Sequence, residues 1–443
     1  MEQFQGSIFG GNMFAQFKRL TWKAGLLAMV VSMLAFTIAL AAPGDLDTTF
    51  SGDGKVTTDI GGGREDSIRE IALQANGKIV VVGWRNDPVR ANDFAVARYN
   101  PNGSLDTTFS GDGKLLTNFG AVDMAEDVAI QPDGKIVVGG MRCLEGSFPD
   151  LQCDVAIARY NANGALDTTF SGDGKVITDF GGLSNGFWGG LAIQTDGKIV
   201  MSGWIWNGVH SDFVVYRYNP NGALDPTFSG DGRARVNFGA GPVDWANDLA
   251  LQANGKILVS GFACDNLSFE NCDFAIARLN TNGALDTTFS VDGKQLINFG
   301  ANDFSDSIAV QANGRIILSG SKNSVSSGSF ALARLNSNGN LDTSFSTNGK
   351  VVTSFGSGVS SGGSDVRVQS DGKIVAMGAA DGDFALVRYN INGTLDLTFS
   401  TDGRVRVDFG SVDEGQKLVL QSNGRYVLAG STQGDFALAR VLP

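Results

Sequence analysis

Apolar residues in this chain come in short bursts separated by turn residues, not in helical stripes. Ala125–Gln131 places Val128 and Ile130 on one face, and Pro132-Asp133-Gly134 then turns the chain. Lys135–Gly139 is a second burst, and after a variable loop Asp154–Tyr160 alternates apolar with polar. Asn161–Gly164 turns again, and Lys175–Phe180 follows. Runs of this length, bounded by Asp-Gly and Asn-Gly turns, predict four short strands in one antiparallel sheet. Helical periodicity is absent throughout.

The same pattern is written seven times. Each unit opens on Leu-Asp-x-x-Phe-Ser, at Leu46, Leu105, Leu166, Leu224, Leu285, Leu341 and Leu395, with spacings of 59, 61, 58, 61, 56 and 54 residues. Repeats of this period signal an array or ring of small sheets. One four-stranded sheet cannot bury both faces, whereas seven packed face to face around an axis can. The predicted fold is therefore all-β, a seven-bladed β-propeller of four-stranded antiparallel blades. After a predicted signal the chain starts with a fourth-type strand, Lys55–Ile60. It ends with first, second and third strands at Lys417–Gln421, Arg425–Gly430 and Asp435–Arg440. The N-terminal strand is thus expected to complete the last blade and protect its edge. An open solenoid would need capping repeats, which the pattern lacks.

The Leu-Asp-x-x-Phe boxes, the Gln-x-(Asn/Asp)-Gly-(Lys/Arg) turns and the Asp-Phe-Ala-x-Ala-Arg-Tyr-Asn strands resemble the delta-60 repeat family of exported bacterial proteins, over essentially all of residues 44–443. The resemblance implies a propeller-like fold, with a strand order like that of NHL repeats, and export.

The N-terminal region carries its own signal. Lys18, Arg19 and Lys23 precede an apolar run from Ala24 to Leu40, and Ala39-Leu40-Ala41 is a small-x-small cleavage pattern. Residues 1–41 are expected to be a cleaved signal peptide, leaving 42–443 as one domain with no membrane span; the competing reading is an uncleaved anchor. Cleavage would leave 31 basic and 45 acidic residues, a net charge of −14. Such a surface repels phosphate backbones, so nucleic acid is not expected as a partner. The four cysteines flank two loops at the same place in their repeats, and local bridges Cys143–Cys153 and Cys264–Cys272 are the simplest pairing. That places the protein in an oxidising compartment: periplasm, cell surface or medium. A monomer is expected.

Most repeated polar residues read as scaffold. An Arg recurs on the third strand (Arg98 to Arg440) as often as the box Asp (Asp47 to Asp396), which suggests seven equivalent ion pairs or Arg-to-backbone clamps. The Ser-Gly-Asp-Gly-Lys turns lack the spacing of a phosphate loop. Lone His210 supports no catalytic triad.

Variation concentrates on the face formed by the loops between strands two and three and those leading into strand one. Binding residues favour such loops. Trp84, Trp188, Trp204, Trp206 and Trp245 lie there, with Phe148, Phe187, Phe269 and His210 nearby. They make either a recognition surface or caps on the blade ends. Acidic residues approach the predicted innermost strands: Asp66 and Glu70, Asp123 and Asp127, Asp244 and Asp248, Asp303 and Asp306, Asp365 and Asp413. The row is broken at Gly186, Gly190, Ser361 and Lys417. Crowded carboxylates repel unless a cation or hydrogen bonds compensate, and Ca²⁺ is the cation that such a channel mouth could hold, though no cofactor is required by the sequence. Alternatively, each Asp caps its own turn. The leading functional expectation is a secreted, non-enzymatic binding propeller for a polysaccharide, peptide or surface protein. A channel-metal hydrolase or lactonase and a structural envelope spacer are the alternatives.

Overall fold

The computed structural model describes residues 41–62, 65–86, 92–144, 152–179, 185–186 (backbone only), 189–239, 241–300, 302–323 and 328–443. The predicted signal lies outside these residues apart from Ala41. All regular structure described is β, and no helix there is long and apolar enough to cross a membrane.

The unit read from residues 125–180 forms as Val122–Ile130, Ile136–Cys143, Cys153–Tyr160 and Lys175–Thr178, paired antiparallel in chain order. Its first strand starts earlier than the pattern suggested. Residues 122–124, Val-Asp-Met, precede the predicted start at Ala125 but belong to the strand. Across the described residues the strands form five four-stranded sheets and one nine-stranded sheet. The nine-stranded sheet consists of two successive repeat units, joined by a single parallel bridge between Ser211 and Val243. The N-terminal strand Lys55–Thr58 pairs antiparallel with the C-terminal strand Asp435–Val441, so one sheet is built from both ends of the described chain.

Each sheet buries its faces against its neighbours in sequence. Ile68, Ile71 and Val81 also share a core with Val427, Phe436 and Leu438, which joins the sheet that starts at Asp66 to the one containing the C-terminal strand.

The expected ion pairs form at all seven boxes. Arg278 is typical. Its Nε donates to Asp286 Oδ2 at 2.6 Å, Nη1 to the Ser337 carbonyl of the next repeat at 2.5 Å, and Nη2 to Thr288 Oγ1 at 3.3 Å. The guanidinium lies 4.6 Å from the centre of the Phe289 ring. One residue thus ties its own box to the following repeat. Burial alone would raise the box carboxyls. Bonds from the neighbouring Thr or Ser, Lys or Arg outweigh it and hold all seven below their usual range.

Both cysteine pairs are bridged as expected, each between directly opposed residues at the end of a hairpin. The Cys264–Cys272 bridge closes the loop that carries Phe269.

Candidate axial site

The first strands share a distortion that positions the site. Six of them carry a β-bulge, at Arg69, Glu126, Asn247, Asp306, Ser364 and Gln416. In the third repeat the strand is interrupted, with Gly189 and Gly190 between Asn185–Gly186 and Leu191–Ile193. The bulge requires a glycine on the second strand. A Cβ on Gly261 would lie 1.9 Å from the Trp245 carbonyl oxygen. A bulge re-aims side chains, and here the six bulge residues, with Glu70, Asp127, Asp248 and Lys417 after four of them, line one cavity of about 370 Å³.

The acidic residues fall into two rows. Asp66, Asp123, Asp244, Asp303 and Asp413 sit before the bulge. Each accepts the backbone N–H of a residue in the preceding turn, at 2.5–2.8 Å: Ile60, Phe119, Phe238, Phe299 and Phe409 respectively. This is the turn-capping alternative. Burial pushes Asp66 and Asp123 up to about 6 and Asp244 to about 7, against the pull of those N–H bonds.

The second row follows the bulge and links neighbouring sheets. Asp127 accepts from Val128 N in its own strand and Leu191 N in the next repeat. Asp248 accepts from Leu249 N and Ile308 N, and Asp365 from Val366 N and Leu418 N, at 2.7–2.9 Å. Ser307 Oγ lies within 3.0 Å of both Asp248 Oδ2 and Asp365 Oδ1, and its single proton serves one or the other. The break in the row at Gly190 is steric, since a Cβ there would lie 2.6 Å from Asp248 Oδ1. The break at Lys417 is electrostatic. Its ammonium is 3.3 Å from Glu70; burial disfavours its charge, but Glu70, Asp365 and Asp248 outweigh burial and hold it protonated.

The metal candidates Asp66, Asp123, Asp127, Asp244, Asp248 and Asp303 are therefore not one ligand set. They are split between rows and spent on backbone donors. Among the described residues, three carboxylate oxygens gather within 4.8 Å only at Asp59, Asp66 and Asp435, and at Asp383, Asp408 and Asp413. In three other repeats an Asn stands where Asp59 and Asp408 do, Asn118, Asn237 and Asn298; Asn118 and Asn237 each donate to a third-strand Asp at 2.6 Å.

The aromatic residues form a wall over three repeats. Trp204 stacks on Trp245, with centroids 5.3 Å apart and planes 12° from parallel. Phe269 meets Trp245 edge-on at 4.9 Å, and Phe262 meets Phe304 edge-on at 4.8 Å. Trp245 Nε1 donates to Ser211 Oγ at 3.1 Å. Trp84 lies on a different sheet, opposite Phe94. Trp206 is opposite Ser211 at a hairpin end. His210, in the same hairpin, contacts Asn207 Nδ2 at 2.9 Å and lies 3.6 Å from Asp212 Oδ1, and among the described residues it belongs to no group of three metal-ligating side chains. Trp188, Phe148 and Phe187 lie outside the described residues. Trp245, Phe262 and Phe304 line the cavity together with Glu126, Asn247, Asp248 and Asp306, so the aromatic and acidic features meet. Glu126, Arg69, Arg367, Phe262 and Phe304 were not singled out from the sequence. Arg69 and Glu126 directly precede Glu70 and Asp127, and only the bulge turns both members of each pair towards the cavity.

Burial also pushes Glu126 and Asp306 up to about 7. A carboxyl whose folded pKa exceeds its unfolded one makes the fold less stable as pH rises between the two values. The depressed box carboxyls act oppositely: their contribution is present above roughly pH 4 and is lost below it. The expected thermal profile therefore rises from pH 8 to a maximum near pH 5 and collapses below about pH 4. Calorimetry across this range checks it, and a flat profile between pH 5 and 8 would contradict it.

Six stretches match the family described as a domain of unknown function (DUF5122) beta-propeller: residues 74–109, 152–170, 194–228, 252–289, 311–345 and 369–399. With the all-β sheets above, this makes the chain a protein of the β-propeller class. Similar solved structures include the polysaccharide lyase Uly1 (15% identity, 87% of this chain and 91% of that one, TM-score 0.47). Sqt1 from Chaetomium thermophilum has 11% identity over 86% and 97%, TM-score 0.47. Drosophila semaphorin 1b, extracellular domains 1–2, has 9% identity over 90% and 88%, TM-score 0.46. No curated protein matches the chain.

Proposed function

We propose that the protein is an exported, non-enzymatic binding module: a seven-bladed propeller of the delta-60 type, closed by its N-terminal strand, that receives an extracellular glycan at the axial cavity. The seven box clamps and the core between first and last sheets support the ring. The disulfides fit an oxidising compartment. The observation that carries the binding reading is the convergence of an aromatic wall and a carboxylate-lined cavity, which share Trp245, Phe262 and Phe304. Sugars use both chemistries, a ring face against an aromatic plane and hydroxyls against carboxylates. Binding fits better than metal catalysis because Asp127, Asp248 and Asp365 are engaged in joining sheets.

Titration of residues 42–443 with a panel of glycan oligomers, followed by tryptophan fluorescence, tests this. A saturable shift is expected for at least one glycan, with affinity reduced about tenfold or more in Trp245→Ala, as for an aromatic anchor. No response across the panel would refute it.

A further inference from the structure

The cavity's charges are unevenly compensated. Its lining carboxylates are Glu70, Glu126, Asp127, Asp248 and Asp306; Asp365 adjoins them outside the lining, and the three cations nearby are Arg69 and Lys417 in the lining and Arg367 outside it. The cations stand on the strands Asp66–Leu73, Ser361–Val368 and Asp413–Leu420. Two of them are matched locally: Lys417 lies 3.3 Å from Glu70, and Arg367 lies 2.5 Å from Asp365 and 3.7 Å from Glu70. Asp127 and Asp248 have backbone donors. Glu126 and Asp306 remain, both bulge residues in the cavity that Trp245 and Phe304 also line.

Glu126 is the sharper case. Its side chain is 8% exposed, and its nearest cation, Arg69 Nε, is 3.6 Å from Oε2, too far for a hydrogen bond. Its other oxygen, Oε1, is buried without a hydrogen-bond partner. Asp306 accepts a hydrogen bond from Asn247 Nδ2 at 3.2 Å, and among the described residues no cationic nitrogen lies within 4 Å of it. Burying a carboxylate this way is costly unless a cation completes the site. A divalent metal ion is a poor candidate. It wants six or more oxygens, and among the described residues neither carboxylate belongs to a compact group of three. An anionic ligand would meet the wrong charge. At about 370 Å³ the cavity falls within the roughly 300–1,000 Å³ of small-ligand sites.

We propose that the axial cavity recognises an amino-sugar unit bearing a free ammonium group. Trp245 and Phe304 face the sugar ring, and Glu126 and Asp306 pair with the ammonium. An amino sugar fits better than a basic peptide because its ammonium sits directly on a rigid ring. Charge and stacking plane therefore arrive together, matching carboxylates that share the cavity wall with aromatics. This rests on the glycan-binding reading and specifies its ligand class.

Three hexamers test it by calorimetry at pH 7.5: β-1,4-linked glucosamine, N-acetylglucosamine and glucose. The expected result is binding of the glucosamine hexamer at least about tenfold tighter than the other two. Glu126→Gln should remove most of that preference without lowering the unfolding temperature, since it replaces a buried carboxylate whose Oε1 has no hydrogen-bond partner and whose ion pair with Arg69 is long, at 3.6 Å. Asp306→Asn should act in the same direction. Equal binding of all three hexamers, or a preference unchanged in Glu126→Gln, would overturn the amino-sugar proposal and leave glycan binding standing. Failure of every glycan would overturn both. Glu126-dependent binding of hexalysine with no glucosamine response would overturn it in favour of a basic peptide.

Discussion

Replacing Asp286 with Ala is expected to cost about 3–5 kcal/mol, the penalty for stranding one member of a buried ion pair. Asp286 is 3% exposed and Arg278 6% exposed. The carboxylate is shared with Lys256 Nζ at 2.6 Å, so its loss leaves two cations facing each other. Arg278 would keep its bond to the Ser337 carbonyl but lose the bond that fixes its side chain. The control is the Arg233–Asp231 pair, whose separation of 2.8 Å is similar but whose Asp side chain is 51% exposed. Asp231→Ala should cost less than about 1 kcal/mol, because water already solvates both charges. Urea denaturation of the two variants measures both. Similar costs would mean that burial does not set the value of the clamp.

Deleting residues 42–60 should be more damaging. The deletion removes Lys55–Thr58 and leaves Asp435–Val441 as an unpaired edge. It removes Phe50, fully buried beneath the Arg440 guanidinium at 4.9 Å, a loss on the order of 3–5 kcal/mol by comparison with Phe→Ala. It also removes Asp47, which accepts from Arg440 Nε at 2.8 Å. An exposed edge with apolar faces invites association. Residues 61–443 should elute as aggregates or oligomers, whereas 42–443 should be monomeric. A monomeric 61–443 with an unchanged unfolding midpoint would show that the N-terminal strand is dispensable.

Much of this was legible because it is local and repeated. In six repeats the third-strand Arg and the box Asp are eight residues apart, so those clamps could be counted from the chain, whereas the seventh, Arg440 with Asp47, joins its two ends. The cysteine pairs, eight and ten residues apart, flank single hairpin loops, and their bridging needed no long-range information. The acidic row was visible, but its split into two rows was not. Asp123 and Asp127 differ by four residues and would share a face on a regular strand. The inserted residue Glu126 changes the phase between them. The recurrent glycine on strand two, at Gly261 and its counterparts, was the available trace of that bulge.

What the sequence by itself determined is therefore the repeat, its strands, its turns and the pairs formed within a repeat, because backbone preference and short-range contact act over a few residues. Tertiary structure alone decided the role of each axial carboxylate. Asp127 and Asp248 find their second donors in other repeats, about 60 residues away, and Lys417 becomes a counter-ion only when the first and last sheets meet. Glu126 and Asp306 stand out as the incompletely compensated acids for the same reason. Compensation depends on which charges the packing brings within a few ångströms, and among buried charges that distance sets the energy.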